Sequence, residues 1–166
     1  MPKNLLEQFL HELEDRANVY MEKLSAKDFH GLVRLIKMAD GNTVIKLYSS
    51  NKTEIKNPSG SQETIKYISV LFAISDFTHQ KRDEDYPLIF DAATSSFGEA
   101  KEQDFYNVID NIKKQCIIVT KDFISDGEIR QDDINKLSCS VYRIKKAENF
   151  NASDLSTIRT RVTKIR

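Results

Sequence analysis

Two short apolar runs constrain this chain more than anything else in it. Leu88-Ile89-Phe90 follows Pro87 and gives out at Asp91, and Ile117-Ile118-Val119 gives out into Thr120-Lys121-Asp122. Between them, residues 98–114 place Phe105, Val108, Ile109 and Ile112 on one side of a helix. Strand, helix, strand in that order is a βαβ unit, with parallel strands and a right-handed crossover. Unbroken apolar runs predict strands buried on both faces, as in parallel sheets. Asp91 and Lys121 then fall at one edge of the sheet, at the carboxyl ends of the strands, where open α/β sheets bind ligands. A carboxylate at that edge can hold a hydrated magnesium ion through its waters. The plainer alternative is a strand closed by an Asx turn.

The rest of the composition excludes more than it selects. With 166 residues the chain is long enough for one real core. Its 25 basic and 25 acidic residues cancel, so no global field points to nucleic acid or membrane. No apolar run approaches a membrane span and no signal peptide is visible, which predicts a cytoplasmic protein without membrane contact. Cys116 and Cys139 read as reduced, inert core thiols. His11, His30 and His79 show no metal-ligand spacing.

Residues 1–25 read as a helix, with Leu6, Phe9, Leu10, Leu13, Ala17, Tyr20, Met21 and Leu24 at spacings of three and four. Glu7, Glu12, Glu14, Asp15, Arg16 and Glu22 fall on its opposite, polar face. Within residues 26–50, Asp40-Gly41 between two strand-like runs predicts an antiparallel hairpin. Ser59 and Gln62 fit a capping box that opens a helix apolar nearly all round from Ile65 to Ile74, hence buried. Its N-terminus, preceded by Ser59-Gly60, is a ready anion site, although a capped helix with nothing bound satisfies the same pattern. Residues 79–87 read as a charged solvated loop, residues 125–136 as a polar loop with a helical turn, and residues 138–146 as a strand. In residues 149–166, Leu155, Ile158, Val162 and Ile165 at helical spacing predict a C-terminal helix capped by Ser153. Its basic residues read as a solvated face, with a DNA or partner contact as the alternative.

In this order the pieces resemble the C-terminal lobe of an ABC-type ATPase head, in the SMC and DNA-repair branch that includes DndD-like proteins. Residues 58–62 (PSGSQ) look like the ABC signature, 88–92 (LIFDA) like Walker B, 94–100 (TSSFGEA) like the D-loop, and 117–122 (IIVTKD) like the strand and switch. The closing DLSTI segment is also similar, and the first helix looks like the arm of a coiled coil returning to the head. The resemblance implies a P-loop-NTPase-like α/β fold: one lobe with a mixed sheet and packed helices, its signature-to-switch region spanning residues 57–148. It also implies the cofactors ATP and Mg2+ in the complete head. Ser59, Gly60, Ser61 and Gln62 would meet the γ-phosphate of ATP held by an opposite subunit, and Asp91 would hold the metal shell. Ser96 would cross the dimer interface, and Lys121 would sense the γ-phosphate as a point charge. The implied partners are an N-terminal Walker A lobe of the same protein, a second head in a homodimer, and DNA.

Several positions depart from the family pattern. Pro58 and Ser61 replace a Leu and a Gly of the signature, Ala92 stands where a catalytic Glu is common, and Lys121 takes the place of the switch histidine. Glu99, or a group in another lobe, is then left to orient water. No G-x-x-x-x-G-K-[ST] phosphate loop occurs in the sequence. The chain alone is therefore expected not to hydrolyse ATP. The alternative expectation is a catalytically silent interaction or dimerisation module that keeps the head fold.

Overall fold

The computed structural model describes residues 3–25, 29–82, 86–112, 114–146, 151 and 153–166, the side chains of 3, 4, 81, 82 and 155 excepted. The chain divides into two compact units, Met1–Thr120 and Lys121–Arg166, where the sequence predicts a single lobe. The expected mixed sheet is replaced by four two-stranded sheets among the described residues.

The first unit holds helix α1 (Lys3–Leu24), strands β1 (Gly31–Lys37) and β2 (Thr43–Ser49), helix α2 (Gly60–Arg82), strand β3 (Leu88–Asp91), helix α3 (Glu99–Asn111) and strand β4 (Cys116–Val119). β1 and β2 form the expected antiparallel hairpin, closed by a turn in which Gly41 takes φ +89°, open to glycine without strain. α1 does more than lie on this hairpin. The Asn18 amide donates to the Val33 carbonyl at 3.1 Å and accepts the Val33 N–H at 2.7 Å, so one side chain supplies both bonds of a strand neighbour. Glu14, expected on the wet face, is buried instead. Its carboxylate accepts the Leu35 N–H at 2.8 Å and an Arg34 guanidinium N–H at 2.6 Å, which compensates a buried charge.

Packing then runs from α1 through α2 to the parallel pair. Tyr20, Phe72, Phe90 and Phe105 form a chain of rings with centroids 5.1, 5.7 and 5.3 Å apart, the last two contacts edge-on. Such contacts add to plain area burial. The Tyr20 hydroxyl donates to Asp76 at 2.5 Å, tying α1 to α2. Burial, and then that bond, push the Tyr20 phenol well above its ordinary value.

β3 and β4 pair in parallel, Leu88 with Cys116 through Asp91 with Val119, as the βαβ reading requires. They are not buried on both faces. Leu88 and Phe90 point into the core, whereas Ile89 is 66% exposed, Ile117 46% and Val119 48%. α2 likewise is not buried all round: Ile65, Phe72 and Ala73 are sealed, but Leu71 and Ile74 stay exposed. It also runs on through His79 to Arg82, replacing the start of the expected charged loop. Residues 83–85 of that loop lie outside the described residues.

The second unit contains β5 (Ile124–Ser125) and β6 (Glu128–Ile129), helix α4 (Gln131–Lys136), β7 (Tyr142–Lys146), a 3-10 turn (Leu155–Thr157) and β8 (Thr160–Lys164). The expected C-terminal helix is absent from this stretch, and β8 pairs antiparallel with β7. Thr157, Ile158, Thr160, Val162, Thr163 and Ile165 are all β-branched, which disfavours a helix and suits a strand. Ser153 caps no helix among the described residues, and Asp154 instead accepts from the N–H and hydroxyl of Ser156 at the 3-10 turn. Cys139 is exposed rather than a core thiol, and burial raises the Cys116 thiol despite the opposing pull of Lys114.

Candidate functional site

The start of α2 is built as the sequence predicts. The Ser59 N–H donates to the Gln62 side-chain oxygen at 2.8 Å, and the Gln62 N–H donates to the Ser59 hydroxyl at 3.3 Å. This reciprocal box holds two of the end groups and leaves the N–H groups of Gly60 and Ser61 without an acceptor among the described residues. Ser59 and Ser61 hydroxyls lie 3.3 Å apart, beside those open amides. A helix N-terminus with free N–H groups and hydroxyls is suited to a phosphate oxygen.

The loop from β3 to α3 closes on the same point. The Ala92 N–H donates to the Val119 carbonyl at 2.8 Å, carrying the β3–β4 pairing one residue past Asp91. Ala92 itself takes φ +49°, a left-handed conformation that costs a non-glycine residue roughly 1–2 kcal/mol. The chain then folds through turns, Ser95 N–H to Ala92 and Phe97 N–H to Thr94, with Thr94 buried beneath. Ser96 is thereby delivered to α2: its hydroxyl lies 3.0 Å from that of Thr64. Thr64 gives its own proton to the Gly60 carbonyl at 2.9 Å, so Ser96 is the donor between them. A Cβ on Gly60 would sit 3.5 Å from that of Ser96, so the two segments touch at van der Waals distance.

Asp91 is exposed and lies on the open face of the parallel pair, in register with Val119 and on the same side as Ile89 and Ile117. Ser59, Gly60, Ser61, Gln62 and Ser96 are thus brought together, and Asp91 begins the loop that carries Ser96. Lys121, exposed, opens the second unit two residues after β4. The donor set fits the groups expected of it: open amides and hydroxyls for phosphate oxygens, and an exposed carboxylate for a hydrated magnesium ion.

No protein-family profile matches the sequence, and no curated protein matches it. Solved structures do. An SMC ATPase described for ATP-driven dimerisation and DNA-stimulated activation superposes with TM-score 0.67 at 17% identity, over 99% of this chain and 89% of its own. The Smc head domain of Pyrococcus yayanosii, with a coiled coil and joint, gives 0.66 at 19% identity over 99% of this chain. The head of Pyrococcus furiosus, with an extended coiled coil and bound to the C-terminal domain of ScpA, gives 0.62 at 16% over 98%. The fold is that of SMC ATPase heads. This chain spans 28% and 37% of those two Pyrococcus chains.

Within a head-type fold, the geometry adds residues that motif spacing does not mark. Lys101, in the first turn of α3, brings its ammonium to 3.5 Å from the Ser61 hydroxyl. Its signal was available, since the third helical position after Gly98 faces back along the chain. Thr64, one turn into α2, is the link between its N-terminus and Ser96. Lys66 is buried and paired with Glu63 at 2.7 Å, above the Tyr67 ring at 4.4 Å, while Glu63 Oε2 has no partner among the described residues. Nothing in the local sequence separates Lys66 from a solvent-facing lysine. Among the described residues no group of His, Cys, Asp and Glu forms a metal site on its own, and no helix is long and apolar enough to cross a membrane.

Proposed function

We propose that this chain is the C-terminal half of an SMC-like ABC ATPase acting in DNA repair or DNA defence, of the DndD-like kind. It contributes signature, Walker B and D-loop to an ATP sandwich between two heads and is inactive alone. One observation carries the reading: Ser96 of the β3–α3 loop is hydrogen-bonded through Thr64 to the capped N-terminus of α2. Separated by 34 to 37 positions in sequence, Ser96 and the signature-like Ser59-Gly60-Ser61-Gln62 box so form one polar surface with open amides.

Each residue has a definite task in this reading. The Gly60 and Ser61 N–H groups and the Ser59 hydroxyl bind phosphate oxygens held by the opposite head, and Ser96 fixes that N-terminus against the D-loop. Asp91 orients the waters of a magnesium ion. Lys121 supplies a positive charge to the γ-phosphate. ATP with magnesium provides the phosphoryl group to be cleaved; the chain contributes positioning and electrostatics, the main currency of phosphoryl transfer. The bare apolar face of β3–β4, which shares its side with Asp91, is the surface for an N-terminal phosphate-loop lobe.

The test is turnover of magnesium-ATP by this chain combined with a phosphate-loop lobe of the same protein. Asp91→Asn is expected to lower the rate by about 10²–10³, the range for loss of one preorganised electrostatic group. An unchanged rate would remove Asp91 from the mechanism. Ala92 favours a second reading: it puts a methyl group, in a left-handed conformation, where a base would be useful. A silent dimerisation module predicts head association that ignores ATP, with no turnover at all.

A further inference from the structure

We propose that Lys101 is a phosphate-contacting residue of the α2 site, which meets the terminal phosphate of a nucleoside triphosphate held by the opposite head. The inference rests on the ATPase reading and adds to it a cation that lies one residue past the D-loop-like segment 94–100. Lys101 is 40 positions from Ser61 in sequence, yet its Nζ stands 3.5 Å from the Ser61 hydroxyl. That hydroxyl is itself 3.3 Å from the one on Ser59, and both lie beside the open N–H groups of Gly60 and Ser61. Ser61 stands in the place of a signature glycine, and a glycine has no side chain to hold an ammonium. The two residues therefore act as one device, in which the hydroxyl of α2 holds the cation of α3 at the start of α2.

Charge explains why an anion belongs there. Lys101 is in the first turn of α3, where Glu99 and Glu102 suit the positive end of a helix and a lysine does not. Its ammonium is also set against the start of α2, a second positive end. The two helix starts are held close, because a Cβ on Gly60 would sit 3.5 Å from that of Ser96, three residues before α3 begins. Open amides and hydroxyls offer a phosphate hydrogen bonds but no full charge, and a phosphate enclosed between two heads needs both. Lys101 supplies the charge as a compact point cation and gives up no proton. The terminal phosphate of a triphosphate reaches farthest from the lobe that holds the nucleotide. A cation on the opposite head therefore distinguishes ATP from ADP.

The experiment uses this chain combined with a phosphate-loop lobe of the same protein, and measures head association with magnesium-ATP, turnover, and ADP affinity. Lys101→Gln is expected to weaken ATP-dependent association and to lower kcat/KM, each by about tenfold or more, the loss of one charge-assisted contact. ADP affinity and the urea unfolding midpoint should stay at the parent's values. Lys101→Arg should restore association and turnover. Ser61→Ala keeps the cation but removes its holder, and should cost about two- to tenfold. A Lys101→Gln complex that associates and turns over like the parent overturns the proposal. So does a lowered midpoint with ATP and ADP affected alike, which would make Lys101 only a tie between α3 and α2. Parent heads that bind magnesium-ATP yet neither associate nor turn over would overturn the ATPase reading itself, and this proposal with it.

Discussion

The two strand pairs of the first unit are finished to different degrees. β1–β2 has α1 across it, with Asn18 and Glu14 bonded directly to the β1 backbone and Val33 fully buried. β3–β4 is covered on one face only, by the side on which Phe90 meets Phe72 and Phe105. Its other face shows Ile89, Ile117 and Val119 to solvent, and no third strand joins it among the described residues. A lone two-stranded pair with one bare apolar face is a poor end state for an isolated protein. The contrast is that α1 completes the hairpin half of this unit, whereas the half that carries Asp91 keeps an apolar face bare among the described residues, the face that the proposed function gives to a phosphate-loop lobe. Asp91 sits on the unfinished side.

The largest effect is expected at β3. Phe90→Ala removes a fully packed ring and should cost about 3–5 kcal/mol in urea unfolding of the chain. Its neighbour Ile89→Thr keeps the β-branch and should stay within about 0.5 kcal/mol of the parent. The same Ile89 variant should weaken association with a phosphate-loop lobe. Equal destabilisation by both substitutions would mean that the face is already covered.

The finished side should fail at its polar joints. Asn18→Ala strands the buried N–H and carbonyl of Val33, and a loss of about 1–3 kcal/mol is expected from the same unfolding measurement. No loss would show that α1 is held by apolar packing alone.

A smaller effect sharpens the joint between α1 and α2. Tyr20→Phe removes the bond to Asp76 and should cost about 0.5–1.5 kcal/mol near neutral pH. The Tyr20 phenol is held above its ordinary value, so below about pH 10 it is protonated in folded and unfolded chains alike and its contribution is complete. Above that pH the unfolded chain sheds the proton first, and the stabilisation is lost as pH rises. The gap between parent and Tyr20→Phe should therefore narrow from pH 10 to 11. A gap that widens there would contradict the raised value.

Much of this was legible in the sequence where a pattern is local. The hairpin at Asp40-Gly41 and the capping box at Ser59 and Gln62 follow from short-range chemistry, the parallel pairing of β3 and β4 follows from the strand–helix–strand order, and the structure has each of them. Burial was misread where it depends on what else is present. The apolar runs 88–90 and 117–119 look two-sided because the residues are suited to a covered sheet, but only one cover lies within the first unit. Glu14 was misplaced because helical spacing cannot report that a strand edge will need an acceptor. The end of the chain was misread because its apolar residues happen to fall at helical spacing, while β-branching and pairing with β7 decide for a strand. Ser96 was assigned on resemblance; its bond through Thr64 to the start of α2 needs the fold.

The most direct measurement is calorimetry of residues 1–166 with magnesium-ATP, first alone and then with a phosphate-loop lobe added. A helix N-terminus offers an anion roughly 0.3–2 kcal/mol, while even millimolar binding needs about 4. No binding heat is expected for the chain alone, and binding with turnover once the lobe is present. A micromolar dissociation constant for the chain alone would contradict it, because such affinity requires a nucleotide cradle that α2, Ser96 and Asp91 do not make.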